Sequence, residues 1–208
     1  VPFIEDAAES LGATYKGKQT GTFGKFGIYS FNGNKIITGS GGGMLLTDDL
    51  AAANKARKWS TQARENAPWY QHEEVGYNYR MSNIVAGIGR GQLIHLEEHR
   101  CLKEAIYCRY KAGFENLPVQ LNPFLECSKP NYWLSCMTIN PDYLCNVTPA
   151  KIMEALASEN IESRPIWKPM HMQPVFADND FITVNKEDVG ADIFKRGLCL
   201  PADIKMKE

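Results

Sequence analysis

The sequence predicts an α/β fold in which a larger first part precedes a smaller second part. Three observations support this prediction. Short apolar runs separated by glycines occupy residues 1–50, a helical periodicity runs from Ser82 to Leu117, and a strand pattern followed by helix patterns comes after residue 130. Alternation of strands and helices is typical of a sheet covered by helices.

The first part is predicted to begin with strands. Val1–Ile4 has the pattern of a buried strand that ends at Glu5 and Asp6. Residues 13–32 have the pattern of two short strands separated by glycines, and residues 42–50 predict another strand. This part of the chain is therefore interpreted as strand and turn.

Helical patterns dominate afterwards. Residues 49–64 are rich in alanine and basic residues and predict an exposed helix with Asp48 or Asp49 as its N-cap. The periodicity from Ser82 to Leu117 predicts a long helix that is broken or bent, because the three glycines at 87–91 each cost about 1 kcal/mol relative to alanine. Close approach of another helix is the expected compensation.

The second part is predicted to contain one strand and two helices. Residues 131–140 have a strand pattern, and residues 148–161 predict a helix with Thr148 as N-cap and Pro149 in its first turn. Residues 188–201 predict the final helix.

Composition excludes several classes of function. Lysine and arginine number 23 against 24 acidic residues, so no overall charge favours binding to nucleic acid or to an anionic membrane. No apolar run is long enough to span a bilayer, and the first residues lack the basic and apolar regions of an export signal. The six cysteines include no C-x-x-C pair, so reduced thiols in a cytoplasmic protein are expected.

Two local motifs suggest other chemistry. The glycines after Lys35 suit phosphate binding, but the Walker A spacing is missing and residues 44–49 have a strand pattern, so a glycine-rich hairpin is the simpler interpretation. The stretch "HLEEH" fits the H-x-x-E-H pattern of inverted zinc peptidases, with His95 and His99 on one face of a helix. The alternative is that both histidines are solvated polar positions, and no third ligand is identifiable.

Several longer blocks carry a more specific signal. "EDAAESLGA" stands at 5–13, "GTFG" at 21–24, "SFNGNK" at 30–35, "GYNYRMSNIVAGIGRGQL" at 76–93 and "ESRPIWKPMHMQPVF" at 162–176. In this order and spacing they closely resemble the DegT/DnrJ/EryC1/StrS group of pyridoxal-phosphate-dependent sugar aminotransferases. The resemblance covers nearly the whole chain and implies the fold of type I pyridoxal-phosphate enzymes.

The resemblance implies pyridoxal 5'-phosphate as the cofactor and assigns residues to it. Lys35 stands where the family has the lysine that forms a Schiff base with the cofactor aldehyde and later moves a proton. Asp6 matches the aspartate that pairs with the pyridinium nitrogen, and Ser30 matches the serine that binds the phosphate. Ala8 is expected beneath the ring, and Glu9 near the phenolic oxygen.

The resemblance also implies partners. Asn78 matches an asparagine that reaches the phosphate of the neighbouring subunit, which implies a homodimer with shared active sites. The implied substrates are a nucleotide-linked keto-deoxy sugar and an amino donor, glutamate, in the synthesis of surface polysaccharide or glycan precursors. The predicted substrate-binding residues are Arg80, Arg164, Trp167, Lys168 and His171. Aromatic faces suit a sugar or base and cations suit a diphosphate, whereas the alternative is a core tryptophan beside solvated basic residues.

Members of this group have further sequence on both sides of the matching blocks. We therefore expect the chain to be a fragment, with residues 1–100 as the C-terminal part of a large α/β/α domain and residues 101–208 as a smaller C-terminal α/β domain. These 208 residues alone are expected neither to bind the cofactor tightly nor to transaminate. The alternatives are a non-catalytic relative or inactive fragment and, more remotely, a zinc hydrolase that uses His95 and His99.

Overall fold

A computed structural model describes residues 1–184 and 186–206. The strands are β1 (Ile4–Asp6), β2 (Thr14–Tyr15), β3 (Lys18–Gln19), β4 (Phe26–Ser30), β5 (Gly43–Leu46), β6 (Val119–Leu121), β7 (Ser128–Lys129), β8 (Ser135–Ile139), β9 (Arg164–Pro165) and β10 (Gly197–Leu200). The helices are α1 (Leu50–Ser60), α2 (Asn83–Leu93), α3 (Leu96–Gly113), α4 (Pro149–Ser158) and α5 (Val189–Arg196). Residues 185, 207 and 208 of the predicted second domain lie outside the described residues.

The chain divides into two compact units. The first contains Val1–Cys101 and Phe124–Trp133, and the second contains Leu102–Pro123 and Leu134–Glu208. The segment Phe124–Trp133 therefore belongs to the first unit, although the residues on both sides of it in the sequence belong to the second.

A small sheet ties this distant segment to the first unit. Strand β2 pairs with β3 in a hairpin and with β7 on its other side, in both cases antiparallel. Residues 13–32 thus hold three strands rather than the predicted two. The additional strand arises because Gly17, with a φ of 77°, turns the chain between β2 and β3.

Parallel strands β1 and β4 bring two predicted site residues to the same end of a second sheet. The strand order is β1-β4-β5, with β1 parallel and β5 antiparallel to β4. The last residues of β1 and β4, Asp6 and Ser30, therefore lie at the same end of the sheet. The prediction of a buried strand over Val1–Ile4 is wrong, because β1 starts at Ile4 and lies at the edge of the sheet, with Phe3 55% and Ile4 67% exposed.

Side-chain caps fix the starts of two helices. Asp49 Oδ1 accepts the Ala52 N–H at 3.0 Å at the start of α1. Thr148 Oγ1 accepts the Lys151 N–H at 3.3 Å at the start of α4, where Pro149 occupies the first turn. Of the two caps considered for α1, Asp49 is the one observed, and the predicted Thr148 cap of α4 is confirmed. Each satisfies an N–H that has no partner within the helix.

The long helical pattern from Ser82 to Leu117 is two helices, α2 and α3. The predicted break is confirmed, and it lies at Ile94 and His95 rather than at the glycines. The expectation of close helix packing at these glycines is wrong for the described residues. A Cβ built on any of the three glycines of α2 meets no atom within 4 Å.

The core of the second unit is the sheet β6-β8-β10-β9. The predicted helix over 188–201 is wrong in its last part, because α5 ends at Arg196 and the following residues form β10. Leu198 in this strand is fully buried, and pairing with β8 and β9 on both sides favours the strand. The strand predicted over 131–140 begins only at Ser135.

The structure also bears on membrane-spanning helices and on the state of the cysteines. In the part of the chain that the structure describes, no helix is long and apolar enough to cross a membrane. The six cysteines lie in the described part of the chain and are thiols rather than disulfides. Cys136 and Cys199 lie opposite each other on β8 and β10 with their sulfur atoms 3.6 Å apart.

Candidate active site

Asp6 and Ser30 end the two parallel strands of the first unit, where ligands of α/β sheets commonly bind. Asp6 Oδ1 accepts the Ala8 N–H at 3.2 Å, which orients the exposed carboxylate. Ser30 Oγ accepts the Asn32 N–H at 3.3 Å. A carboxylate and a hydroxyl group are therefore held at the same end of the sheet.

Lys35 lies in the loop between β4 and β5. Its side chain is 12% exposed, and its Nζ lies 3.3 Å from Glu9 Oε1. Nζ also lies 4.3 Å from the centroid of the Trp133 ring. The amine of Lys35 thus contacts both a carboxylate and an aromatic ring, and both groups belong to the same unit.

Side chains from two helices fasten the loop that carries Lys35. Gln92 Oε1 accepts the Thr38 N–H at 2.7 Å. His99 Nδ1 lies 3.1 Å from Ile36 O, so Nδ1–H is the donor. A loop held by such bonds positions its functional side chain better than one held by its own turns alone.

These contacts also bear on the zinc hypothesis. His99 Nδ1 is engaged by Ile36 O, and His95 Nδ1 lies 2.9 Å from Glu98 Oε2. Among residues 1–184 and 186–206, no group of three His, Cys, Asp or Glu side chains could hold a metal ion. The geometry therefore gives His99 a structural role and offers the zinc hypothesis no third ligand within the described residues.

The side chain of Glu5 fixes the conformation of the "GTFG" block at 21–24. Its carboxylate accepts the Gly21 N–H at 2.6 Å and the Phe23 N–H at 2.9 Å, which holds this turn against β1. A Cβ on Gly27 would lie 1.8 Å from Gly21 O, so only glycine permits this close approach. Sequence reasoning missed Glu5, and the signal available was an acidic side chain beside a glycine-rich turn.

The segment with Asn78 and Arg80 is bound to the end of α1 by its backbone. The Tyr77 N–H donates to Trp59 O at 2.7 Å, and the Arg80 N–H donates to Ser60 O at 3.1 Å. The side chains of Asn78 and Arg80 are exposed. The backbone is thus fixed while two predicted functional side chains remain accessible.

Glu74 anchors the start of this segment to α1. Lys55 Nζ lies 2.7 and 2.5 Å from its two oxygens, the Trp59 Nε1–H donates at 2.9 Å, and Lys58 Nζ lies 3.2 Å away. These hydrogen bonds, led by that from Lys55, lower the pKa of Glu74 from 4.5 to about 2.

A Glu74→Gln substitution is expected to lower the urea midpoint of unfolding at neutral pH by about 0.3 M or less, because exposed ion pairs are screened by solvent. Because the pKa of Glu74 is lower in the folded state, its contribution is present above about pH 4.5 and is lost as the pH falls towards 2. The unfolding curves of variant and wild type should therefore differ at neutral pH and converge at low pH. Glu73→Gln is the control, since the Glu73 carboxylate accepts from the neutral Gln71 side chain, at 3.3 Å, and forms no ion pair within the described residues. A constant difference across pH would contradict this account.

Three predicted substrate residues lie on or just after β9 in the second unit. Arg164 Nε donates to Glu162 Oε1 at 2.7 Å, so its guanidinium is engaged by a neighbouring carboxylate. Trp167 and Lys168 follow and are exposed to solvent. The alternative that Trp167 is a core residue of this unit does not hold within the described residues.

His171 makes a polar contact of its own. Its Nε2 lies 2.6 Å from Asp188 Oδ2, and its ring stacks on Phe181. The Ala191 N–H, followed by His171, lowers the pKa of Asp188, which is the N-cap of α5. His171 therefore links a loop to the start of a helix.

Comparison with known proteins gives matches along the whole chain. The family model of the DegT/DnrJ/EryC1/StrS aminotransferase family matches residues 1–208. EpsN of Bacillus subtilis strain 168, named as a candidate pyridoxal phosphate-dependent aminotransferase, is 51% identical over 212 residues, which cover 100% of this chain and 53% of EpsN. GDP-perosamine synthase of Escherichia coli O157:H7 is 34% identical over 200 residues, which cover 96% of this chain and 52% of that enzyme. The chain thus spans about half the length of these relatives.

The fold has close counterparts among solved structures. The PLP form of Spr1654 from Streptococcus pneumoniae, named as a candidate sugar aminotransferase, matches with a TM-score of 0.88 and 21% identity. The match covers 100% of this chain and 54% of that chain. The predicted α/β fold of type I is confirmed by this likeness, which at such identity speaks for the fold alone. Because its sequence matches the family model over its whole length, the chain belongs to the DegT/DnrJ/EryC1/StrS aminotransferase family.

Proposed function

We propose that the protein carrying this chain is a pyridoxal-phosphate-dependent sugar aminotransferase in which Lys35 is the catalytic amine. The observation that carries the proposal is the setting of Lys35. Its nearly buried amine lies 3.3 Å from Glu9, in the loop that follows Ser30 at the end of β4. Family membership and the name of EpsN support the same cofactor.

The residues of the site suit the chemistry of pyridoxal phosphate. When bound, the cofactor supplies an aldehyde for an amino group and an electron-withdrawing ring that stabilises negative charge on the neighbouring carbon. Asp6 offers a carboxylate for the pyridinium nitrogen, and Ser30 offers a hydroxyl for the phosphate. Ala8 suits the ring face because its side chain is small, and Glu9 would lie near the phenolic oxygen.

Lys35 has two tasks in this proposal. Its Nζ would hold the resting cofactor and, once released, would move a proton from the substrate α-carbon to the carbon that was the cofactor's aldehyde carbon. Both tasks need an amine that reaches the same point repeatedly. The carboxylate of Glu9, 3.3 Å away, is one of the groups that hold Nζ there.

The proposed substrate is a nucleotide-linked keto sugar, with glutamate as the amino donor. The support is that one relative is named as a GDP-perosamine synthase and another, SpsC of Bacillus subtilis, as a spore coat polysaccharide biosynthesis protein. The synthesis of surface polysaccharide precursors is the corresponding proposed role. The proposed substrate contacts remain Arg80, Arg164, Trp167, Lys168 and His171.

Mass spectrometry of products tests this proposal directly. The full-length protein is incubated with glutamate and a panel of nucleotide-linked keto sugars, and an amino sugar is expected from at least one of them. Replacing glutamate by other amino acids identifies the donor. If no sugar is aminated and no cofactor is attached to Lys35, a non-catalytic relative becomes the better account.

A mixed-subunit experiment tests the proposed role of Asn78. If Asn78 serves the site of the neighbouring subunit, inactive Lys35→Ala and Asn78→Asp proteins should together regain about one quarter of wild-type activity. With random reassociation half of the dimers are mixed, and each mixed dimer has one intact site. The absence of recovery in verified mixed dimers would place Asn78 outside a shared site.

A further inference from the structure

Two buried side chains from a distant part of the sequence contact the segments that carry Glu9 and Lys35. They are Asn131 and Trp133, each 6% exposed. Both precede β8 and belong to the first unit, as Glu9 and Lys35 do. Their contacts are therefore made within one unit.

Asn131 holds the segment that carries Glu9. Its Nδ2 group donates to Glu9 O at 2.8 Å and to Leu11 O at 3.1 Å. Its Oδ1 accepts the Trp133 N–H at 3.1 Å. Loss of these bonds would leave buried polar groups unpaired, so this amide fixes the segment firmly.

Trp133 holds the region of Lys35 at two points. Its indole Nε1–H donates at 2.7 Å to the main-chain oxygen of Asn34, the residue directly before Lys35. The ring centroid lies 4.3 Å from Lys35 Nζ, within the range of a cation–π contact. One rigid side chain thus contacts both the backbone beside Lys35 and the amine at the end of its side chain.

We propose that Trp133, supported by Asn131, is the positioning residue for the amine of Lys35. This inference rests on the proposed function only in taking Lys35 as the reacting amine. Lysine has a long flexible stem, and its amine visits many positions unless contacts restrict it. The indole ring and the Glu9 carboxylate both contact Nζ and so restrict its position.

The expected benefit is accurate placement. A misplacement of about 1 Å in a reacting group can cost about a hundredfold in rate. The indole exerts its effect through Lys35 and through the backbone of Asn34, without taking part in proton transfer. Removal of the indole should therefore change the position of Lys35 Nζ more than the fold of the rest of the unit.

Amine labelling of the full-length protein without cofactor tests the positioning directly. Formaldehyde with cyanoborohydride methylates accessible amines, and peptide mass spectrometry gives the initial rate at Lys35 relative to the exposed Lys16 and Lys18. In Trp133→Leu we expect this ratio to rise about threefold or more, because both contacts are lost. Trp133→Phe keeps an aromatic face and should stay within about twofold of wild type.

Cofactor attachment gives a second readout that does not need turnover. After addition of pyridoxal phosphate, the visible absorbance should develop about tenfold more slowly in Trp133→Leu and recover most of its rate in Trp133→Phe. Trp69→Leu is the matched control. Trp69 is exposed and its indole donates to Gln71 Oε1 at 3.1 Å, so neither readout should change.

The outcomes separate positioning from folding. An unchanged Lys35 labelling ratio in a Trp133→Leu protein that unfolds within a few degrees of wild type overturns the proposal. If that variant does not fold, Trp133→Met decides, because the flexible methionine adapts to the space of the indole and lacks both its aromatic face and its N–H donor. A raised ratio then supports the proposal, and an unchanged ratio overturns it. Failure of the proposed function is recognised separately, as full turnover by a Lys35→Ala protein.

Discussion

Replacing Lys35 with alanine in the full-length protein is expected to reduce transamination by about a thousandfold or more. The variant lacks the amine that we propose holds the cofactor and moves the proton. Lys35→Arg should be equally inactive, because a guanidinium keeps the positive charge beside Glu9 and does not become neutral. Borohydride reduction of the wild type followed by peptide mapping should find the cofactor on Lys35.

The control for this experiment is Lys25, another lysine of the same unit. Lys25 is exposed and lies 3.7 Å from Asp49, so Lys25→Ala should retain both turnover and labelling of Lys35. A cofactor label on Lys16, Lys18 or Lys25 would contradict the assignment. Retained turnover in Lys35→Arg would do so as well.

The elements predicted well from the sequence are those determined by local interactions. Asp49 and Thr148 cap α1 and α4 because each side chain reaches an N–H three residues away. The final strand β10 was not predicted, because "GLCL" continues a helical pattern and becomes a strand only by pairing with β8 and β9. Tertiary pairing of this kind leaves no local signal.

The residues of the candidate site likewise include some that could be predicted from the sequence and some that could not. Lys35 and Asp6 could be identified because they stand in long blocks that resemble a known family. Trp133 was missed, since it follows Lys35 by almost half the chain and lies in a stretch whose apolar pattern predicts a strand. A buried tryptophan and asparagine next to a strand are ordinary core residues by sequence, and only their hydrogen bonds distinguish them.

Asp6→Asn is expected to reduce turnover on the order of 100-fold while leaving the fold intact. The amide is nearly the same size as the carboxylate, and its oxygen can still accept the Ala8 N–H that Asp6 Oδ1 accepts at 3.2 Å. Only the negative charge is lost. A neutral partner no longer favours a protonated pyridine nitrogen, so the ring withdraws electrons less strongly.

A cofactor analogue can distinguish this electrostatic role from a structural one. Pyridoxal phosphate methylated on its ring nitrogen carries a permanent positive charge, so it should restore much of the turnover lost in Asp6→Asn. Glu5→Gln is the matched control, because Glu5 is the adjacent carboxylate and binds the N–H groups of Gly21 and Phe23. That change should lower the thermal unfolding temperature, and the methylated cofactor should bring no gain over the natural one. Wild-type turnover in Asp6→Asn, or equal rescue of both variants, would show that the charge of Asp6 does not act on the ring nitrogen.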